Sequence, residues 1–65
     1  MNYLLKVRRQ KGMTQQAVED ITGIDTATLS LYENGLRTPS VENAKKLSSA
    51  LDFDWVKLYE DDDED

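Results

Sequence analysis

Serine and threonine hydroxyl groups are candidate nucleophiles in this sequence, and the chain contains no cysteine. It also contains no histidine, the most frequent general base and metal ligand. Without a base, serine and threonine are weak nucleophiles at neutral pH. The acidic run at residues 60–65 lacks the spaced ligands and central glycine of a calcium loop. We therefore predict a protein that is not an enzyme and has no metal, cofactor or small-molecule ligand.

The charge of the chain divides it into two parts. The net charge is −5, with 13 acidic and 8 basic residues, but six of the acidic residues occupy positions 60–65. Residues 1–59 are consequently close to neutral. A run of carboxylates repels itself and has nothing to bury. We predict one domain over residues 1–59 and a disordered acidic tail over residues 60–65.

The length and the apolar pattern indicate a small protein of the cytoplasm. A chain of 65 residues forms one domain, near the lower size limit for a stable core. No apolar run approaches the ~18–20 residues of a membrane span. Basic residues at positions 6, 8 and 9 follow the short apolar stretch at residues 3–5, which argues against a signal peptide. We expect no membrane association.

Glycine, proline and helix-capping residues divide the sequence into five short segments of helical periodicity. The predicted helices run from about Asn2 to Lys11, from Thr14 to Gly23, from Asp25 to Asn34-Gly35, from Ser40 to Leu51, and from Asp54 to Tyr59. Their apolar positions are Leu4, Val7, Ala17, Val18, Ile21, Leu29, Tyr32, Val41, Ala44, Leu47, Leu51, Trp55 and Leu58. The spacing predicts an all-α fold, a compact five-helix bundle with most of these side chains in its core.

Two of the predicted helices are joined by a tight turn at residues 23–25. Gly23 permits a left-handed backbone conformation, Ile24 fills the angle between the helices, and Asp25 caps the next helix. This pattern is typical of a helix-turn-helix, here at residues 15–34. In that motif the first helix lies across the DNA backbone, and the second presents side chains to the major groove.

Around this turn the sequence resembles the helix-turn-helix repressors of the Cro and lambda-repressor type, an XRE-like family. The resemblance covers residues 4 to about 59. It rests on Val7-Arg8, Lys11-Gly12-Met13-Thr14-Gln15, Thr22-Gly23-Ile24, Tyr32-Glu33-Asn34-Gly35, Arg37-Thr38-Pro39-Ser40 and Leu51-Asp52-Phe53-Asp54-Trp55. It implies a lambda-repressor-like fold and a transcription regulator that binds double-stranded DNA.

The resemblance also implies roles for matching residues. The predicted DNA-binding set is Gln15, Asp25, Thr26, Ala27, Thr28, Ser30, Leu31, Asn34 and Arg37. In this set, positions 26, 27, 30 and 31 face the bases from a recognition helix at about residues 26–34. Gln15, Asn34 and Arg37 contact the DNA backbone. Arg8 and Glu33 match an ion pair that joins helix one to the end of helix three, and we predict that this pair is partly buried.

Two features depart from the family pattern. Glu19 occupies a position that is usually alanine, and its side chain must either swing outward or bond across the turn. The recognition helix has no arginine, lysine, asparagine or glutamine at its base-facing positions. Those are the strong bidentate readers of guanine and adenine, each contributing about 1–3 kcal/mol. We therefore expect modest direct base recognition, with a share from DNA shape.

Three regions leave alternatives open. Leu31 has three interpretations: it reads a thymine methyl group, packs on a partner protein, or is simply exposed. Trp55 and Tyr59 either complete the core of the monomer or form a dimer interface; we expect Trp55 mostly inside the domain and Tyr59 near the interface. The acidic tail either keeps the protein soluble and repels duplex DNA, or regulates DNA binding.

Two hypotheses for the function follow. The first is a sequence-specific regulator of transcription, a repressor or Cro-like switch, that binds a palindromic operator as a homodimer. The second is a protein-interaction module on the same fold, such as an antitoxin-like or anti-repressor partner. A salt series separates them, because duplex binding that releases counterions weakens steeply as salt rises.

Overall fold

The computed structural model describes residues 2–59 and is all-helical over that range. Its elements are α1 at Tyr3–Gln10, α2 at Gln15–Thr22, α3 at Thr26–Glu33, α4 at Val41–Leu51 and a 3-10 helix at Trp55–Tyr59. Within the described residues no helix is long and apolar enough to cross a membrane. The predicted tail at residues 60–65 lies outside the described residues.

The predicted count of five helices needs a correction, since only four of the elements are α-helices. The last element spans five residues, and the N–H of Lys57 donates to the carbonyl of Asp54 at 2.9 Å. That spacing of three residues is the hydrogen-bond pattern of a 3-10 helix, which proteins use in short pieces. Periodicity located the element but did not distinguish the two helix types.

A side chain caps the start of every α-helix. The oxygen of the capping residue accepts a hydrogen bond from the backbone N–H three residues later, which satisfies one of the free donors of the first turn. The four caps are Asn2 to Leu5 at 3.0 Å, Thr14 to Ala17 at 3.0 Å, Asp25 to Thr28 at 3.2 Å and Ser40 to Asn43 at 3.1 Å. These caps fix where each short helix begins.

The four α-helices share one hydrophobic core. Its buried apolar members are Leu4, Val7, Val18, Ile24, Leu29, Tyr32, Ala44, Leu47 and Leu51. Leu29 of α3 and Leu47 of α4 are essentially inaccessible to solvent. The inner face of α3 is therefore fixed on the core, which leaves its opposite face for other contacts.

Two residues predicted for the core are exposed instead. Ile21 is 60% exposed and Val41 is 51% exposed. Val18 and Ile24 are the buried residues of this part of the chain, and Ile21 instead lines a shallow groove shared with α4. Val41 is the first residue of α4, whose buried positions begin only at Ala44. Helical spacing predicted the shared face correctly but not how far the neighbouring helices extend.

The aromatic residues of the C-terminal part lie at the edge of the core. Trp55 is half-buried, and Tyr59 is 41% exposed. Their rings meet edge to face with centroids 6.0 Å apart. The hydroxyl of Tyr59 donates to the carbonyl of Pro39 at 2.8 Å, so the 3-10 helix lies against the loop before α4.

Candidate nucleic-acid interface

The turn between α2 and α3 has a left-handed residue at its centre. Gly23 adopts a φ of 79°, and its N–H donates to the carbonyl of Glu19 at 2.8 Å, which closes α2. An L-residue with a side chain would be strained in this conformation. Ile24 follows and is buried, so its side chain holds the turn against the core. Backbone geometry and burial together set the angle at which α3 leaves the turn.

Glu19 bonds across this turn, one of the two alternatives expected for it. Its Oε1 accepts a hydrogen bond from the backbone N–H of Thr26 at 3.2 Å, at the first residue of α3. Asp25 caps the same helix through the N–H of Thr28. Two carboxylates therefore stand at the N-terminus of α3, where the helix dipole favours negative charge.

Asp25 is held in its ionised form by Thr28. The hydroxyl of Thr28 donates to the carboxylate at 2.7 Å and its backbone N–H at 3.2 Å. These two hydrogen bonds lower the pKa of Asp25 below its usual value. The hydroxyl of Thr28 is thus directed back at the cap rather than outward.

The outer face of α3 is formed by small side chains. Thr26, Ala27, Ser30 and Leu31 share this side of the helix by their spacing, opposite the buried Leu29, Tyr32 and Glu33. Ala27 is exposed and the other three are half-buried. None of the four carries a charge, so the face offers two hydroxyl groups and two apolar groups.

Asn34 closes the C-terminal end of this face. Its side-chain amide donates to the carbonyl of Ser30 at 2.9 Å and approaches the Ser30 hydroxyl oxygen at 3.4 Å. The hydroxyl proton of Ser30 is not used in these contacts. Ser30 therefore retains a donor that can reach outward from the helix.

An ion pair joins the far end of α3 to α1. The side chain of Glu33 is 5% exposed, and its two carboxylate oxygens accept from Arg8 Nε at 2.6 Å and Nη2 at 3.0 Å. The remaining Nη1 of Arg8 donates to the carbonyl of Met13 at 2.8 Å. The hydrogen bond to Glu33 raises the pKa of the Arg8 guanidinium above its usual value. This bidentate geometry ties α1, the following loop and α3 together.

Gln15 belongs to the same network. Its Nε2 donates to Oε1 of Glu33 at 3.1 Å, and the side chain is half-buried at the first position of α2. The amide retains its carbonyl oxygen and one N–H for other partners. Gln15 therefore links both helices of the motif.

Arg37 stands apart from this network. It is exposed in the loop after α3, and its side chain has no hydrogen-bond or ion-pair partner among residues 2–59. The structure thus does not join Arg37 to Gln15, the other residue expected at the DNA backbone. The guanidinium is available to an anion outside the domain.

Two further asparagines hold α3, and neither role was expected from the sequence. Asn2 Nδ2 donates to the carbonyl of Tyr32 at 2.5 Å, and Asn43 Nδ2 donates to the hydroxyl of Tyr32 at 2.9 Å. The sequence indicated Asn2 only as the cap of the first helix. Its second partner lies 30 positions away, and no local pattern signals a bond of that range.

Comparison with known proteins decides the family. The family model described as helix-turn-helix matches residues 4–58. The chain belongs to the XRE-type helix-turn-helix family. Two relatives support this assignment. The uncharacterized HTH-type transcriptional regulator YqaF of Bacillus subtilis is 42% identical over 59 residues, covering 91% of this chain and 78% of that protein. The uncharacterized HTH-type transcriptional regulator y4dJ of Sinorhizobium fredii is 39% identical, covering 91% and 77%.

No solved structure is similar to the chain at a significant level. The helix-turn-helix match includes Arg8, both motif helices and Arg37, and it ends at Leu58 before the acidic residues. In this family member α2 is the first helix of the motif and α3 the second. In a helix-turn-helix the second helix is the one that presents side chains to the major groove.

Proposed function

We propose that this protein is a sequence-specific regulator of transcription, a repressor or Cro-like switch, that binds double-stranded DNA through α3. The observation that carries the proposal is the contrast between the two sides of α3. Its inner side is fixed by the buried Leu29, Tyr32 and Glu33, whereas its outer side carries no buried residue: Ala27 is exposed, and Thr26, Ser30 and Leu31 are half-buried. A helix held in this way can enter a groove about 12 Å wide without rearranging.

We assign base recognition to the outer face of α3. Thr26, Ala27 and Leu31 offer methyl groups for thymine, and Ser30 offers a hydroxyl that donates or accepts. None of them makes a bidentate contact, so each contributes less discrimination than an arginine on guanine. Part of the specificity then comes from the free energy needed to bend or twist the DNA duplex, which differs from one DNA sequence to another.

We assign the contacts to the DNA backbone to residues that flank α3. Arg37 is the principal one, because its guanidinium has no partner among the described residues. Gln15 and Asn34 contribute their remaining amide groups. Asp25 and Thr28 bind each other at the start of α3, and we assign them the positioning of this helix end at the DNA surface.

A homodimer is the proposed binding form. Exposed apolar side chains cluster around the 3-10 helix and the loop that it contacts: Leu36 is 75% exposed, Val41 51%, Val56 45% and Tyr59 41%. A two-fold interface there would pair two copies of the domain, each with its own α3. Two half-sites about one helical turn apart, 34–36 Å along the duplex, would then form a palindrome.

A binding selection from random duplexes tests the proposal. Purified full-length protein should enrich an inverted repeat, and the affinity for that repeat should fall steeply as salt rises. Enrichment of no motif, together with salt-independent or absent duplex binding, would contradict a sequence-specific DNA-binding role.

The second candidate function is a protein-interaction module on the same fold. It is favoured by Leu36, which is 75% exposed in the loop after the recognition helix, and by the absence of charged side chains on the outer face of α3. An apolar protein contact at this surface would be insensitive to salt. The replacement Leu36→Asp would abolish such a contact, whereas the bases enriched within one DNA half-site would stay the same even where dimer formation is weakened.

A further inference from the structure

A groove separates the C-terminal end of α2 from the second half of α4. Its volume is about 520 Å³, and its lining residues are Ile21, Thr22, Lys45, Lys46, Ser49 and Ala50. We call it the α2–α4 groove. None of the residues to which DNA contacts were assigned lines it. Gln15, the DNA-contacting residue proposed on α2, lies at the opposite end of that helix from Thr22, roughly 10 Å along its axis.

Apolar side chains of both helices continue from the core into the groove. On α2, Ile21 follows the buried Val18 at a spacing of three residues, and on α4, Ala50 follows the buried Leu47 at the same spacing. Residues at this spacing share one face of a helix. Ala50 is half-buried against the core, whereas Ile21 is 60% exposed. Residues 2–59 therefore leave one large apolar side chain of this stripe mostly uncovered.

The charged side chains that line the groove are two lysines. The Nζ of Lys45 lies 5.5 Å from the centroid of the Trp55 ring, and this uncharged partner leaves the positive charge in place. Lys46 pairs with Glu42 at 3.7 Å, and the Glu42 side chain is 79% exposed. Water and salt screen such a pair, so it holds Lys46 only weakly. The groove thus combines an uncovered apolar side chain with two accessible cations.

Hydrogen-bonding groups at the groove also favour an anion. Ser49 is exposed, and its hydroxyl has no hydrogen-bond partner within residues 2–59. It lies one helical turn after Lys45, on the same side of α4. The nearby carboxylate of Asp20 already accepts a hydrogen bond from Gln16 Nε2 at 3.0 Å. A carboxylate that approaches this side of α4 would meet two ammonium groups and a hydroxyl donor.

We propose that the α2–α4 groove binds an acidic amphipathic helix of a second protein. A large apolar side chain of that helix packs on Ile21 and Ala50, and carboxylates one turn away pair with the two lysines. A helix is favoured because an extended segment binds by joining a strand edge, and residues 2–59 contain no strand. A DNA backbone offers phosphates but no apolar side chain to cover Ile21. The inference goes beyond the proposed function, since this contact does not require bound DNA.

A peptide selection tests the proposal. A displayed library of random helical peptides, each about four turns long, is selected against the full-length protein. Because the protein has a net charge of −5, it repels acidic peptides as a whole, and their enrichment identifies a local basic site. We expect peptides in which glutamate or aspartate lies three or four positions from a large apolar residue. Enrichment of basic peptides, of uncharged peptides or of none would overturn the proposal.

Variants of the lining residues test where the enriched peptides bind. Ile21→Ser should weaken binding about tenfold, the effect of losing much of one buried apolar side chain. The double variant Lys45→Gln with Lys46→Gln should weaken it about two- to fivefold at low salt, with less effect as salt rises. All three residues are exposed, so thermal unfolding should show both proteins to be folded. Equal affinity for wild type and Ile21→Ser would overturn the proposal.

Matched variants elsewhere control for general effects. Leu36→Ser removes an apolar side chain that is more exposed than Ile21, at 75%, in the loop after α3. The double variant Lys6→Gln with Lys11→Gln makes the same change in net charge at two exposed positions. Neither should alter peptide binding. A loss with Leu36→Ser as large as that with Ile21→Ser, or equal losses for the two lysine pairs, would overturn the groove as the binding site.

Two other occupants would give different results. If a second copy of this chain occupied the groove, Ile21→Ser would reduce self-association in analytical ultracentrifugation, whereas Leu36→Ser is the control. If DNA phosphates occupied it, the Lys45 and Lys46 variant would lose more duplex affinity than the Lys6 and Lys11 variant. We expect neither difference, and either one would overturn the proposal. If wild type binds no duplex, the proposed function fails, but the peptide measurements still decide whether the groove binds an acidic helix.

Discussion

The two ends of α3 are held by different kinds of interaction. At the N-terminal end, Glu19 and Asp25 make hydrogen bonds to backbone N–H groups close in sequence, and Asp25 is exposed. At the C-terminal end, Glu33 is buried and receives donors from α1 and α2, while Asn2 binds the carbonyl of Tyr32. One end is fixed by local caps and the other by contacts between distant parts of the chain.

Because of this difference, we expect substitutions at the two ends of α3 to have different effects. Removing a partner from a buried carboxylate leaves a charge that water cannot reach, which is costly. Removing an exposed cap exchanges one hydrogen bond for another with water. We therefore expect stability to depend on the C-terminal end of α3, and DNA affinity to respond at the N-terminal end.

The largest expected effect is the loss of Arg8. Because Arg8→Met strands the buried carboxylate of Glu33, it should lower the free energy of unfolding by roughly 3–5 kcal/mol. For a domain of this size, that is most of its total stability. Urea or thermal unfolding measures the change.

Arg9 provides the matched control, because it is an exposed arginine on the same helix. Arg9→Met should change stability by less than about 0.5 kcal/mol. The double variant Arg8→Met with Glu33→Met should recover much of the loss, since no charge is left buried. A loss of only about 1 kcal/mol for Arg8→Met would show that Glu33 is well solvated.

A smaller effect is expected for the cap that also reaches α3. Asn2→Ala removes a helix cap, which costs about 1 kcal/mol, and in addition the bond to the Tyr32 carbonyl, worth about 0.5–1.5 kcal/mol. Thr14→Ala removes only a cap and is the control. Denaturant unfolding should show Asn2→Ala to be less stable than Thr14→Ala. Equal losses would mean that the long-range bond contributes nothing.

At the N-terminal end, the charge of Glu19 should matter more for DNA than for stability. Glu19→Gln keeps an oxygen that can accept from Thr26 but removes a negative charge near the proposed DNA surface. Because a negative charge at a helix N-terminus is stabilising, its removal should lower the free energy of unfolding by about 0.3–1 kcal/mol. Low-salt titrations should show tighter binding to all duplexes alike. Altered base preference with unchanged overall affinity would contradict a purely electrostatic role.

The smallest effect concerns pH. The pKa of Asp25 is lowered in the folded protein by its hydrogen bonds to Thr28. The stabilisation is therefore fully present above the unfolded pKa of about 4 and is lost as pH falls through the folded value. Asp25→Asn should reduce the acid dependence of stability below that pH, measured by urea unfolding between pH 2.5 and 6. An unchanged pH profile would show that these bonds do not favour the ionised form.

Local features of the fold were predictable because their partners are close in sequence. Thr14, Asp25 and Ser40 cap helices through donors three residues away, and Gly23 ends α2 in the left-handed conformation expected of it. The Arg8–Glu33 pair, expected only through the family resemblance, is present in the structure.

Features that depend on tertiary packing were not predictable. Helical spacing placed Ile21 and Val41 on the inner face, but both are exposed in the folded domain. The bonds from Asn2 and Asn43 to Tyr32 have no sequence signature, because they join segments that come together only in the fold. The same holds for the bond between Tyr59 and Pro39.

The most direct test of the central claim compares sequence preference with salt dependence in two variants. Leu31 lies on the outer face of α3, and Arg37 lies in the loop beyond it. In a selection from random duplexes, Leu31→Ala should change the enriched bases at equivalent positions of both half-sites. Arg37→Ala should enrich the wild-type motif but reduce the salt slope of binding by about one unit per protomer. An unchanged motif for Leu31→Ala, or a changed motif with an unchanged salt slope for Arg37→Ala, would contradict recognition through α3.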